Sequence, residues 1–167
     1  ISAVLWSLET LAWEPIYLNR AALCLAELSV LDPGGRWSNR PANSLRNIFL
    51  PWYPQTCASL QQRFLAVSLI VREQPEVGWK LLLALMPNSH SSSSGTRKPE
   101  WREVIPNNWK QEVTNSEFSS QTQKYSEMLV DFVEAHPGKI TEVLDYLECL
   151  PLKASDRILE FLNVRAA

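Results

Sequence analysis

The chain has 167 residues, of which 46% are hydrophobic, so it is long enough for a single domain with a sizeable core. Its 16 Lys and Arg residues against 18 Asp and Glu residues give a formal net charge of −2, which disfavours nonspecific nucleic-acid binding. The three cysteines are odd in number and far apart, which excludes a disulfide framework and metal-ligand spacing and favours the cytoplasm.

The first residues, ISAVLWSLETLAW, contain no initiator Met and no signal-peptide pattern. We therefore expect residues 1–167 to form one helical-repeat domain that is a fragment of a larger protein. The longest apolar run falls well short of the roughly 20 residues that cross a bilayer, so the sequence predicts no membrane span.

Apolar residues spaced three and four apart predict helices over residues 2–13 and 15–31, with Pro15 in the first turn of the second. The second helix is apolar on most sides, and we expect it to be largely buried. A short helix is predicted over 42–49, because the DPGG and PWYP sequences on either side of it stop helices.

The next two helices are predicted over residues 57–73 and 75–86. Thr56 is the expected N-cap of the first, and Pro75 opens the second. In the first, the spacing of the apolar residues places Arg63 away from the core-facing side. In the second, charged residues are scarce, so we expect that helix to be nearly enclosed.

Residues 88–113 show little periodicity and include a run of serines, which predicts a long loop inside the domain. Amphipathic patterns then predict one helix over about 114–135 and another from about Ile140. A last helix, after the LPLKASD segment, is expected to turn Ile158 and Leu159 inward.

No segment alternates apolar and polar residues as strands do, so the sequence predicts an all-α fold. About seven to eight helices joined by Pro-rich turns fit an irregular α-solenoid, or helical-repeat stack, and they also fit a compact helical bundle. The solenoid is favoured because successive helices are locally paired and several are apolar nearly all round.

Motifs for catalysis or cofactor binding are absent from the sequence. It has no Walker loop, no G-x-G-x-x-G, no H-E-x-x-H and no G-x-S-x-G elbow, and His90 and His136 are interpreted as solvated. The acidic residues of the last helices fall opposite the apolar faces, as they do on a solvated surface. We therefore expect a non-catalytic chain with no cofactor and no metal site.

Arginine and tryptophan are concentrated in residues 31–56 and 97–110. This pairing is enriched at protein interface hot spots, and it also occurs on platforms that stack single-stranded nucleic acid. Alternatively, Trp37, Trp52 and Trp101 plug the ends of helical layers. The partner-binding candidates are Arg36, Trp37, Arg40, Arg46, Trp52, Arg97, Lys98, Trp101 and Arg102.

The stretch LETLAWEPIYLNRAALCLAELSVLDPGGRWSNRPANSLRNIFLPWYPQT, followed by EVGWKLLLALMP and GTRKPEWRE, resembles a segment of large bacterial multidomain proteins, especially STAND-type antiviral defence proteins. The likeness covers roughly residues 1–110. In that group an N-terminal effector and a central NTPase precede a C-terminal helical-repeat sensor.

The resemblance implies a scaffold that binds a foreign protein, such as a phage protein, with oligomerisation of the full-length parent as the next event. The NTPase and effector motifs would lie outside this chain, so no catalytic residue is transferred from the family. The alternative function, from the residues alone, is a nucleic-acid-binding helical module that uses the Arg/Trp-rich connecting segment of residues 31–56.

Overall fold

The computed structural model describes residues 2–87, 93, 95–100, 105–107 and 109–166. This part of the chain contains eight α-helices and no β-strand, so the all-α prediction is confirmed. The helices are α1 (Ser2–Ala12), α2 (Pro15–Val30), α3 (Pro41–Phe49), α4 (Leu60–Glu73), α5 (Pro75–Leu85), α6 (Asn115–Ala135), α7 (Ile140–Leu144) and α8 (Leu152–Ala166). None of them combines the length and apolarity needed to cross a bilayer.

The helices pack mainly against their neighbours in sequence. α1 packs against α2, α2 against α3 and α4, α4 against α5, α5 against α6, and α6 against α8. Contacts of α3 with α1 and α5, and of α4 with α6, join the layers to one another. The chain therefore forms an irregular stack of locally paired helices, as the solenoid pattern predicts.

One continuous core runs through the described part of the stack. Its largest fully buried side chains are Trp13, Trp79, Tyr125, Phe49, Leu5, Leu18, Leu25, Leu45, Ile48, Leu50, Ile70 and Leu82. Burial of one such side chain contributes roughly 1.5–3 kcal/mol. These residues come from α1 to α6 and the turns between them, so the core spans most of the stack.

Three prolines begin helices. Pro15, Pro41 and Pro75 lie in the first turn of α2, α3 and α5. An amide at the start of a helix has no intrahelical acceptor, so proline loses no hydrogen bond there, and its fixed φ suits the helix. The predicted bounds of these three helices differ from the observed ones by no more than one residue.

The start of α4 differs from the sequence prediction. Ser59, and not Thr56, is the N-cap, and it exchanges hydrogen bonds with Gln62 in a capping box. Thr56 is buried instead: its hydroxyl donates to the carbonyl oxygen of Ala12 at 2.7 Å and accepts from the Ala58 amide at 3.2 Å. A tertiary hydrogen bond therefore occupies the hydroxyl that the sequence assigned to the cap.

Gly78 sets the distance between α4 and α5. A Cβ atom added at Gly78 would lie 2.5 Å from Cα of Val71, far inside van der Waals contact. The absence of a side chain therefore lets the two helices meet backbone to backbone. α5 is nearly enclosed, as predicted, with Trp79, Leu82 and Leu85 fully buried.

α2 contacts four other helices, α1, α3, α4 and α5, and is buried on most sides as expected, with one exposed stripe. Leu18, Ala22 and Leu25 are fully buried, whereas Ile16 and Val30 are exposed. The exposed stripe thus carries apolar residues, so hydrophobicity alone did not reveal where it lies.

The C-terminal third contains one long helix followed by short segments. α6 agrees with the predicted helix and begins with a capping box between Thr114 and Glu117. The helix expected from Ile140 is interrupted: α7 has five residues and lies between 3₁₀ turns at Pro137–Lys139 and Leu147–Cys149.

α8 is attached to α6 by ion pairs as well as by apolar contacts. Arg157 pairs with Asp131 at 3.0 Å and with Glu134 at 2.8 Å. Ile158 is buried as predicted, but Leu159 is exposed, so its expected inward placement is wrong. Consecutive helical residues point about 100° apart, and here only the first of the two reaches the core. α8 also begins inside the segment that was predicted to precede it.

Candidate partner-binding surface

Residues 31–40 connect α2 to α3, and we call this segment the connector. Arg40 closes it on itself: Nε donates to Oδ2 of Asp32 at 2.8 Å, and Nη2 donates to Oδ1. Nη1 of Arg40 also donates to the carbonyl oxygen of Gly35 at 3.0 Å. Gly34 and Gly35 have φ angles of 82° and 128°, which L side chains rarely adopt. The connector is therefore fastened internally, and the Arg40 guanidinium is used for this purpose.

Trp37 projects from the connector. Its side chain is 84% exposed, so the interpretation of Trp37 as a plug at the end of a helical layer is wrong. A groove of about 470 Å³ lies beside it, with an apolar lining that includes Leu28, Leu31 and Pro33. Arg36, next to Trp37 in the chain, is also exposed. We call these five residues the connector surface.

Arg46 and Trp52 make a more buried contact. The guanidinium carbon of Arg46 lies 5.9 Å from the centroid of the Trp52 ring, and its Nε donates to the carbonyl oxygen of Ala84 at 3.3 Å. Burial lowers the pKa of Arg46. Trp52 is partly buried and packs against the core, so the structural interpretation holds for this tryptophan.

Arg97 lies against α1, where a buried carboxylate holds it. The backbone amide of Arg97 donates to Oε2 of Glu9 at 2.8 Å, and the Ser44 hydroxyl donates to Oε1 at 2.6 Å. The Arg97 guanidinium pairs with Glu100 at 3.1 Å and lies 5.8 Å from the centroid of the Trp6 ring. Glu9 therefore joins α1, α3 and the long loop.

Lys98 contacts two tryptophan rings. Its Nζ lies 5.4 Å from the centroid of Trp13 and 5.3 Å from that of Trp109. The two rings meet edge to face at 5.4 Å, and Nε1 of Trp13 donates to the Thr96 hydroxyl at 3.2 Å. These contacts hold two parts of the long loop against the end of α1.

The candidates lie in separate groups within the described residues. A polar cleft of about 270 Å³ brings Arg40 and Arg97 together, although they are far apart in the sequence. Arg40 and Asn39 border both this cleft and the groove beside Trp37. Trp101 and Arg102 lie outside the described residues.

Two charged residues that sequence reasoning did not select are buried. Glu9 lies on the buried face of α1, four residues after Leu5 and three before Ala12. Arg63 is buried in α4, so its predicted placement away from the core is wrong. In both cases the available signal was a charge at helical spacing from apolar residues, as Arg63 is from Val67.

We find no metal-binding arrangement in the described residues: no set of three or more His, Cys, Asp and Glu side chains there is placed to hold an ion. The His136 ring stacks on Phe132 at 4.3 Å, and His90 lies outside the described residues. No family model matches this chain, and no curated protein or solved structure matches it significantly.

Proposed function

We propose that this chain is a non-catalytic helical scaffold that binds a protein partner through the connector surface. The observation that carries this proposal is Trp37, whose indole is 84% exposed although the backbone beneath it is fastened by the ion pair of Asp32 with Arg40. An exposed tryptophan on a fixed backbone is typical of an interface anchor, because Trp is enriched among hot-spot residues.

The connector surface suits a partner that presents apolar side chains. The groove of about 470 Å³ beside the exposed indole offers an apolar wall that includes Leu28, Leu31 and Pro33. Because the connector is fastened before any partner arrives, binding orders little additional backbone and loses little conformational entropy. An apolar side chain of the partner would fill the groove while the indole covers it.

Two of the candidate cations, Arg40 and Lys98, are engaged within the chain, which favours a protein partner over single-stranded nucleic acid; Arg36, beside Trp37, is exposed. A strand-binding platform needs guanidinium or ammonium groups that are free to contact phosphates beside exposed rings. Arg40 is paired with Asp32, and Lys98 lies against two indole rings. The formal net charge of −2 favours the same conclusion.

The resemblance of roughly residues 1–110 to STAND-type proteins supports a more specific version of this proposal. In that version the chain is the ligand-sensing part of a bacterial defence protein in the cytoplasm, and its partner is a foreign protein. Oligomerisation of the full-length parent would follow binding, and NTPase and effector activities would belong to other parts of the parent.

The proposal is tested by comparing wild type with Trp37→Ser and with a control, Leu152→Ser. Leu152 is 78% exposed on α8, so both changes remove an exposed apolar side chain. Each protein serves as bait, and the captured protein is purified and titrated calorimetrically against all three. We expect Trp37→Ser to weaken binding roughly 30-fold or more. Leu152→Ser should bind like wild type, and all three should share one melting temperature.

Equal binding of the purified partner to wild type and Trp37→Ser would contradict the proposal. The nucleic-acid alternative is tested in parallel with a single-stranded oligonucleotide. If the oligonucleotide binds wild type with an affinity that falls steeply with salt and is lost in Trp37→Ser, the connector surface contacts phosphates and bases instead.

A further inference from the structure

Arg63, on α4, indicates a second site. Its side chain is only 4% exposed, and within the described residues its guanidinium makes no ion pair and its buried Nε has no hydrogen-bond partner. A buried arginine normally has an anion beside it, because burial removes water from the charge without replacing the lost hydrogen bonds. The buried, unpartnered Nε of Arg63 therefore indicates a place where an anion could bind.

Arg63 lines a cavity of about 270 Å³ at the beginning of two helices. The same cavity is lined by Ser59, the N-cap of α4, and by Val113 and Glu117, on either side of the N-cap of α6. Amides in the first turn of a helix have no intrahelical acceptors, and the helix dipole is positive at that end. Two positive helix ends and one buried cation therefore meet at this cavity.

The other charged residues that line the cavity are Lys110, Glu112 and Glu117. Glu117 is engaged in capping α6, since its Oε2 accepts from the amide and the hydroxyl of Thr114 at 3.1 Å each. Burial lowers the pKa of Arg63, and Tyr125 and Glu117 act in the opposite direction. Arginine nevertheless stays protonated in proteins, so the Arg63 guanidinium at this cavity is charged at every physiological pH.

We propose that this cavity binds a carboxylate group, carried by a peptide or a small molecule, with the Arg63 guanidinium as its main hydrogen-bond donor. The planar guanidinium matches the two oxygens of a carboxylate. A singly charged carboxylate suits the cavity better than a phosphate, because Glu112 and Glu117 repel additional negative charge. This site is separate from the connector surface and does not depend on the function proposed above.

Two probes distinguish the possible sources of the carboxylate. N-acetyl-L-alanine carries a chain-terminal carboxylate, and N-acetyl-L-glutamic acid α-amide carries a side-chain carboxylate. N-acetyl-L-alanine amide is the neutral control. Two-dimensional ¹H–¹⁵N NMR follows the Nε–H resonance of Arg63 and, in the variants as well, the backbone amides of Lys110 and Glu117, which line the cavity. We expect a saturable shift with a carboxylate probe, in the millimolar range typical of ligands with few atoms, and none with the amide. The tighter probe identifies the source.

Arg63→Met tests the assignment of the donor, and Arg72→Met, on the exposed side of the same helix, is the matched control. Because a buried unpaired charge is destabilising, Arg63→Met should leave the melting temperature of the free protein unchanged or raise it. It should weaken carboxylate binding roughly 10- to 100-fold, as expected for the loss of a charged hydrogen bond. Arg72→Met should bind the probes like wild type.

Three results would overturn the proposal. The first is the absence of a saturable shift in wild type with either carboxylate probe. The second is an unchanged carboxylate affinity in Arg63→Met, and the third is tighter binding of inorganic phosphate than of both carboxylates. The wild-type titration needs no variant, so it decides the question even if Arg63→Met fails to fold.

Discussion

Glu9 shows how one buried carboxylate can organise three segments of chain. It accepts the Ser44 hydroxyl from α3 and the Arg97 amide from the long loop. Both donors lose access to water when the segments close, so the carboxylate replaces the hydrogen bonds that water would have made. Glu9 thus stabilises the fold, and it also lines the polar cleft.

We expect Glu9→Ala to lower the free energy of unfolding by about 2–3 kcal/mol, because the donors of Ser44 and Arg97 lose their acceptor. Urea unfolding followed by circular dichroism measures the change. Glu27→Ala, at an exposed position of α2, is the control and should stay within about 0.5 kcal/mol of wild type. Equal stabilities of the two variants would mean that water replaces the Glu9 carboxylate.

For single residues, exposure was easier to predict from the sequence than the hydrogen-bond and ion-pair partners of each side chain. The concentration of Arg and Trp drew attention to a segment in which Trp37 is 84% exposed. It did not reveal that Arg40 is held by Asp32, because spacing in an irregular segment does not determine which charges meet. Arg63 lies at the edge of the apolar face of α4, and its burial depends on how α6 packs there.

Among the helices, the packing of α4 against α5 depends on Gly78. We expect Gly78→Ala to destabilise the protein by about 1–3 kcal/mol, because the added Cβ would overlap the Val71 backbone and force the helices apart. This effect opposes and outweighs the gain of roughly 0.5–1 kcal/mol that alanine brings to a helix interior.

Gly138→Ala is the matched control for Gly78→Ala, since a Cβ atom added at Gly138 would meet nothing within 4 Å and the φ angle there is not positive. Scanning calorimetry should show a lower melting temperature for the Gly78 variant and an equal or slightly higher one for the Gly138 variant. Equal melting temperatures would show that the backbone of α4 yields to the extra methyl group without loss.

Helix bounds were predictable wherever a local signal decides them. Pro15 and Pro75 fix the beginnings of α2 and α5 regardless of what surrounds them. The cap of α4 was not predictable, because Thr56 and Ser59 are both suitable caps and a hydrogen bond to distant Ala12 takes the first. The short length of α7 had no clear local signal, since the apolar spacing continues beyond it.

On the scale of the whole molecule, the C-terminal third is attached to the rest of the stack partly by a charged cluster. Nε1 of Trp79 donates to Oε2 of Glu142 at 2.7 Å. Lys139 pairs with Glu76 at 2.9 Å and with Glu142 at 3.2 Å. These contacts connect α5 to the turn before α7 and to α7 itself.

The cluster predicts a specific loss of stability in acid. The hydrogen bond from Trp79 and the nearby Lys139 hold the pKa of Glu142 below its ordinary value. A group whose pKa is depressed by folding contributes stability above its unfolded pKa, and that stability disappears as the pH falls through the folded value. We therefore expect the melting temperature to fall between about pH 5 and pH 3 more steeply in wild type than in Glu142→Gln.

Calorimetry across a series of buffers measures this difference, with Glu148→Gln as the control for removal of an exposed carboxyl group. The control should follow the wild-type curve. If the Glu142→Gln curve also runs parallel to wild type, the Glu142 contacts do not stabilise the fold.

The fold class was predictable from the sequence because helical spacing recurs along nearly the whole chain without any strand pattern. The packing arrangement of the helices was harder to predict from the sequence than the fold class. The exposed stripe of α2 carries the apolar residues Ile16 and Val30 beside charged residues, so hydrophobicity alone does not fix its edges. The docking of the long loop depends on contacts such as Glu9 with Arg97, which are 88 residues apart.

In the connector, the residues that are exposed to solvent differ from the residues that hold the backbone in place. Residues 33–38 are all exposed, whereas Asp32 and Arg40 at the two ends hold the chain in place. Apart from the two glycines, whose φ angles are restrictive, these positions can exchange side chains without disturbing α2 or α3. If the connector surface binds a partner as proposed, changes at these positions alter its specificity without altering the framework, much as antibody loops vary on a constant sandwich.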